Sequence, residues 1–131
     1  MIVDTKVKKL AVIFVLAWLA NLVWENLHHV LYLHYQGQPI TGLILFRASL
    51  FDAAVITILA LPFILVPFFR ARLWLAFVIG VVLAIGLEWW ALATSRWAYT
   101  DLMPLIPLLG TGLTPTIQLG LIAYLVYKKT I

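Results

Sequence analysis

Long apolar stretches alternate along this chain with short polar clusters. Four stretches are long enough to cross a bilayer: about Leu10 to Leu33, Leu43 to Phe69, Leu73 to Ala93, and Leu105 to Tyr127. A helix needs about 20 mostly apolar residues to traverse the hydrocarbon core. The connections are short, so successive helices should run antiparallel. The pattern predicts an all-α integral membrane protein, a single domain over residues 1–131 built as a four-transmembrane-helix bundle. The first run does not read as a cleavable signal: its apolar part is too long, and Trp18 fills the third position before a cut after Ala20. No internal repeat or low-complexity segment interrupts the pattern.

Composition agrees. Hydrophobic residues make up 65% of the chain and charged residues 11%, against about 25% charged in soluble proteins. A soluble fold of this size could not bury so much apolar surface, so lipid must cover part of it. The absence of cysteine excludes disulfides, thiolate metal sites and a Cys nucleophile. The net charge of +4 does not point to nucleic acid, because the basic residues sit at the ends of apolar runs. Lys6, Lys8, Lys9, Arg70, Arg72, Lys128 and Lys129 fall on one side of a four-span arrangement, and Arg47 and Arg96 toward the other. The positive-inside rule then puts both termini in the cytoplasm of a cell-membrane protein.

Helix rise gives depth. Counted along their runs, Glu25, Asp52 and Glu88 each lie roughly 6–9 Å below the outer edge of the core. Gln118 of the fourth run falls near the same depth. On the first run Asn21, Glu25, His28 and Tyr32 share one face, flanked by His29. Such a stripe must face protein or a water-filled pocket. Arg47 and Arg96 are the natural counter-ions of this layer, with His28 or His29 as the alternative. Three acids against two arginines leave one carboxyl to hold a proton, as a general acid requires. His34, Tyr35, Trp97 and Tyr99 read as interfacial anchors. Phe63, Phe68, Phe69 and Trp74 read as lipid-facing, and Gly80 and Gly86 as close helix contacts.

A metal site is not favoured, and no cofactor is called for. Glu25-Asn26-Leu27-His28 has the Glu-x-x-His spacing of di-iron bundles, but Glu88 is followed by Trp89-Trp90-Ala91, so the second copy is missing. A divalent metal, if bound, would draw on Glu25, His28 or His29, and Asp52 or Glu88.

The stretch "MPLIPLLGTGLTPTIQLG" carries three prolines and three glycines. The fourth span is therefore expected to be kinked or broken at Pro115. A kinked continuous helix is one form. In the other, a short helix starts at Thr114-Pro115 and the preceding segment dips in to line a cavity. Gly110-Thr111-Gly112 is not a nucleotide-binding fingerprint, since no strand precedes it.

Two segments, "WENLHHVLYLHYQGQPIT…LFRASLFDA" and "EWWALATSRWAYTDLMPLIPLLGTGLTPTIQ", resemble uncharacterised small multi-pass microbial membrane proteins. The second is also faintly similar to integral-membrane carotenoid hydratase and cyclase families. There a helix-borne glutamate precedes an aromatic turn and a proline-spaced stretch, matched here by Glu88, Trp97, Tyr99, Pro104 and Pro107. The proline–glutamate motif of the cyclases is not evident in this chain.

Three functions fit these features. The first is a membrane enzyme, such as a hydratase, cyclase or isomerase, acting on a lipid or isoprenoid. Glu25 or Glu88 would protonate the substrate and Asp52 stay ionised near Arg47. His28 or His29 would relay the proton. Trp24, Trp89 and Trp90 would offer aromatic faces to a cation. Asn21, Tyr32, Arg47, Arg96 and Gln118 would bind substrate. Ser49 and Thr94 are weaker nucleophile candidates. The second is a binding protein or transporter for a cationic or amphipathic molecule, a homo-oligomer if it transports. The third is a structural membrane subunit. Membrane lipid and a small apolar or amphipathic ligand are the expected partners.

Overall fold

The structure, a computed structural model, describes residues 2–131, with side chains from residue 4 onward. It is mostly helical. Helix α1 covers Ile2–His28 and passes through a 3-10 turn at His29–Leu31 into strand β1, Tyr32–Tyr35. Then come α2 (Gly42–Leu65), a single turn α3 (Pro67–Arg70), α4 (Trp74–Ala93), strand β2 (Trp97–Tyr99) and α5 (Leu113–Thr130). By length and composition, three helical segments can cross a membrane: Asp4–Leu31, Gly42–Leu65 and Trp74–Ala93. Their outer faces carry Val12, Val23, Leu27, Phe51, Ile58, Val82 and many similar exposed side chains, which fits a membrane protein. The fourth helix, α5, is 18 residues long, ends in Lys128 and Lys129, and is not one of those three.

The boundaries correct the sequence reading at four places. Helix α1 begins before the lysines, so Lys6, Lys8 and Lys9 lie on it, and it stops at His28 rather than running to Leu33. The second run is not continuous to Phe69. Pro67 disfavours the helical region for Val66, which takes φ −110° and ψ 117°, so the chain breaks there and restarts as α3. The run from Leu105 is no helix until Leu113, where Gly112 is the N-cap. Pro115 then lies in the first turn, where its missing N–H costs no intrahelical bond, so the fourth helix starts near Pro115 instead of kinking there. Finally, β1 and β2 form an antiparallel ribbon that pairs Tyr32 with Tyr99, His34 with Ala98, and Tyr35 with Trp97.

Helix α1 packs on α2 and α5, and α4 packs on α5, while α2 only touches α5. The helices thus form a curved row in the order α2, α1, α5, α4. Gly80 of α4 sits against Gly120 of α5, so close that a Cβ on Gly80 would strike the Gly120 Cα and lie 2.6 Å from its nitrogen. Gly86, in contrast, faces open space. At the far end of the bundle from the ribbon, Tyr127 donates its hydroxyl to the Ile56 carbonyl and packs on Phe63. Phe63 is fully buried, not lipid-facing as its position suggested. Thr5, Lys6, Lys9, Ile64, Arg70 and Ile131 surround one small depression, so both termini and the α2–α3 turn gather at this end.

The ribbon end is set by a local device. Ser95 has φ +57°. Its N–H donates to the Leu92 carbonyl and the Arg96 N–H to the Ala91 carbonyl, 2.9 Å, the paired bonds of a Schellman turn. That reversal swings Arg96 and Trp97 back over α4. Glycine is the usual residue at this left-handed position. Replacing Ser95 by Gly should therefore raise the stability of the protein by about 1 kcal/mol. Thermal unfolding in mild detergent measures it, and a lower midpoint would count against this account.

Candidate functional site

Four polar side chains from three helices converge beneath the ribbon. The carboxamide nitrogen of Gln118, on α5, lies 2.9 Å from Asn21 Oδ1, 3.0 Å from Glu25 Oε1 and 3.2 Å from Asp52 Oδ2. Asn21 and Glu25 project from α1 one turn apart, and Asp52 from α2. Asn21 is fully buried, and its own amide donates to the Ala17 carbonyl, which leaves its oxygen to fix Gln118. A carboxamide nitrogen carries two hydrogens, and three oxygens converge on it. At any instant one of them lacks a hydrogen from Gln118.

The other oxygen of Glu25 meets His28 Nε2 at 3.0 Å, the i,i+3 partner on the same face. His28 is buried, and its Nδ1 lies 3.2 Å from the Thr114 hydroxyl at the start of α5. A carboxylate at Glu25 selects the Nε2–H tautomer, leaving Nδ1 to accept from Thr114. The result is a continuous path, Thr114–His28–Glu25–Gln118–Asp52, crossing three helices. A hydroxyl, an imidazole and an orienting carboxylate in series form the arrangement that moves protons in many hydrolytic sites. Because Gly112 caps α5, the Thr114 side chain is not taken up as a cap; its hydroxyl also lies 3.6 Å from Met103 Sδ.

Glu88 stands in a second cluster. Tyr32 donates to its Oε1 at 2.8 Å and the Trp97 indole N–H to its Oε2 at 2.5 Å. Tyr99, the strand partner of Tyr32, accepts a hydrogen bond from the Gly112 N–H at 3.0 Å. Burial, and then the Glu88 carboxylate, hold the Tyr32 phenol above the usual tyrosine range. Burial also raises Tyr99, with the Gly112 N–H opposing and Glu88 adding to the rise. Both phenols therefore stay protonated, and Tyr32 remains a donor. With a donor on each oxygen, Glu88 fastens the ribbon to α4.

Both clusters border one cavity of about 500 Å³ between α2 and α4, floored by α1 and α5. Of the residues singled out in the sequence, Glu25, His28, His29, Tyr32, Arg47, Asp52, Glu88, Arg96 and Gln118 line it. Asn21, Trp24 and Trp89 do not. Asn21 sits behind Gln118. Trp24 packs against the core. Trp89 donates outward to the Leu109 carbonyl at 2.8 Å. Of the three tryptophans expected to offer a ring, only Trp90 reaches the cavity. Ser49 and Thr94 turn their hydroxyls to the carbonyls of Phe46 and Trp90.

Other expectations need correction. Among the described residues no ion pair joins Arg47 or Arg96 to a carboxylate; the close partner of Glu25 is the His28 imidazole instead. Of the residues expected as interfacial anchors, Trp97 and Tyr99 belong to the Glu88 cluster, and His34 and Tyr35 also line the cavity. The segment before α5 does not line it. Its backbone closes on itself through the Ile106 N–H to the Thr111 carbonyl and the Leu113 N–H to that of Pro104. Among the described residues, no three His, Asp or Glu side chains are grouped to hold a metal ion. Glu88 is occupied by Tyr32 and Trp97, apart from Glu25, His28 and Asp52. Thr114, read from the sequence only as a helix start, was not among the expected site residues. The signal available was its place one helical turn before Gln118, on the same face.

Comparison with protein-family models, curated proteins and solved structures finds no match to this chain. The structure is a mostly helical protein, three of whose helices are long and apolar enough to cross a membrane, with a polar network opening on a largely apolar cavity, and function rests on that geometry.

Proposed function

We propose that the protein is an integral-membrane enzyme that acts on a lipid or isoprenoid substrate by general acid–base chemistry. The observation that carries this reading is the hydrogen-bonded path from Thr114 through His28 and Glu25 to Gln118 and Asp52, set at the floor of an apolar-lined cavity. A purely structural network would gain nothing from a cavity beside it. In this reading Glu25 and Asp52 share a proton, since Gln118 cannot serve Asn21 and both carboxyls together. That proton is delivered to a double bond of the substrate. The cation formed is captured by water or loses a neighbouring proton, and either course returns one proton to the pair through His28. The outcome is a hydration or an isomerisation, with no net consumption of acid.

In the same reading α5 is a fourth, shorter span. The lysines of α1, Arg70 and the two lysines of α5 lie at the cytoplasmic face of the cell membrane, with both termini, and the cavity opens in the outer leaflet.

Deuterium provides the test. The protein in lipid nanodiscs is incubated with membrane lipid extract in heavy water, and lipids are analysed by mass spectrometry. One lipid or isoprenoid class should gain carbon-bound deuterium with the wild-type protein and not with His28→Phe. Absence of incorporation into any class would refute the enzymatic reading.

A further inference from the structure

The three carboxyls of the cavity are engaged by internal donors, but its two arginines are not. Glu25 is held by Gln118 and His28, Asp52 by Gln118, and Glu88 by Tyr32 and Trp97. Arg47 enters the cavity wall from α2 and Arg96 from the turn after α4. Among the described residues neither guanidinium has a carboxylate within ion-pair distance. The Arg96 guanidinium carbon lies over the Trp90 ring, 4.4 Å from its centroid. Its Nε is buried and has no hydrogen-bond partner. A buried charged donor without an acceptor is costly and calls for one. Between and below the arginines the wall is apolar, made by Ile44, Phe51, Ala84 and Leu87.

We infer that Arg47 and Arg96 form an anion subsite, and that the molecule entering this cavity is an amphiphile with a phosphate headgroup and a single apolar chain. The inference rests on reading the cavity as the substrate site, and it names the substrate class. Guanidinium groups match phosphate oxygens with paired N–H donors. A phosphate monoester carries about two negative charges near neutrality, so two arginines suit it better than a carboxylate. The cation–π contact with Trp90 holds the Arg96 guanidinium in place before the ligand arrives, which lowers the ordering cost of binding. A cavity of about 500 Å³ lies within the range of small-molecule sites. The chain would lie along Phe51 and Leu87, bringing carbons near the headgroup toward Glu25 and His28. A cationic amphiphile would meet two unneutralised arginines at the mouth.

Binding in phosphatidylcholine nanodiscs tests this directly. Dodecyl phosphate should bind at least tenfold more tightly than dodecanol or dodecyltrimethylammonium, measured by titration calorimetry. Arg47→Gln and Arg96→Gln should each weaken it at least tenfold, with unchanged thermal unfolding. Arg96→Lys should recover only part of the affinity, because an ammonium keeps the charge and loses the paired donors. Dioleoylphosphatidic acid, tested as a second arm, distinguishes a membrane lipid from a single-chain phosphate: equal or tighter binding of the two-chain lipid would overturn the single-chain assignment. Equal binding of all three dodecyl probes, or no effect of either glutamine variant, would overturn the anion subsite. Anion-selective, arginine-dependent binding in a protein that incorporates no deuterium would sustain this inference while the enzymatic reading fell.

Discussion

Replacing Gly120 by Val is expected to remove the folded protein from the membrane fraction or to lower its stability by about 3 kcal/mol or more. At Gly120 a Cβ would run into the Phe77 carbonyl oxygen and lie 3.1 Å from both the Phe77 carbonyl carbon and the Val81 nitrogen. All of these are backbone atoms of α4, so no side chain can swing aside. The two helices would have to separate. Helix α5 also carries Thr114 and Gln118, so separation would pull the donor from Glu25 and Asp52 and the hydroxyl from His28. In lipid, helices associate largely through close packing of this kind rather than through burial from water. Gly86→Ala is the matched control, because nothing lies within 4 Å of a Cβ there. Thermal unfolding and the folded fraction on size-exclusion chromatography distinguish the two. Equal tolerance of both substitutions would show that the α4–α5 contact does not hold the fold.

How far the sequence led can be traced through individual residues. Counting 1.5 Å per residue placed Glu25, Asp52 and Glu88 at one level, and all three border the same cavity. The 100° rotation correctly grouped Asn21, Glu25 and His28 on an inward face, because both quantities are properties of a single helix. The partners were not legible. Whether Asp52 meets Gln118 or Arg47 depends on the rotation of α2 against α1, and packing across two surfaces decides that. The ribbon was missed because it exists only when the ends of α1 and α4 are side by side. Its seven residues carry no strand signal strong enough to show alone. Tyr32 followed the helical stripe in sequence and left the helix in the structure, yet it still reaches inward to Glu88. The pattern thus found the right residue for an incomplete reason. Proline acted in two ways. Pro67 stopped a helix through its effect on Val66, whereas Pro115 was harmless in a first turn. Apolar composition records neither distinction.

The two glutamates expected as proton donors should behave differently. Glu25→Gln is expected to leave stability within about 1 kcal/mol of wild type, because a glutamine is isosteric and every contact can be kept. Its oxygen can still accept from Gln118, and its amide can donate to His28 Nε2 once the imidazole proton moves to Nδ1 and is donated to Thr114. What it cannot do is hold or release a proton, so turnover should fall by about 10²–10⁴-fold. Glu88→Gln should keep most of its turnover. The tyrosine hydroxyl can reverse and accept from the new amide, while the remaining oxygen accepts from the donor-only indole of Trp97. Glu88→Leu, in contrast, leaves the hydroxyl of Tyr32 and the indole N–H of Trp97 without an acceptor, at a cost of about 4 kcal/mol. It should unfasten the ribbon and lower the unfolding midpoint sharply. Deuterium incorporation and thermal unfolding, measured side by side on the three variants, separate a group that moves protons from one that holds a strand in place. If Glu88→Gln abolished incorporation at wild-type stability and Glu25→Gln did not, the roles would be exchanged, and the proton donor would lie under the ribbon beside Tyr32.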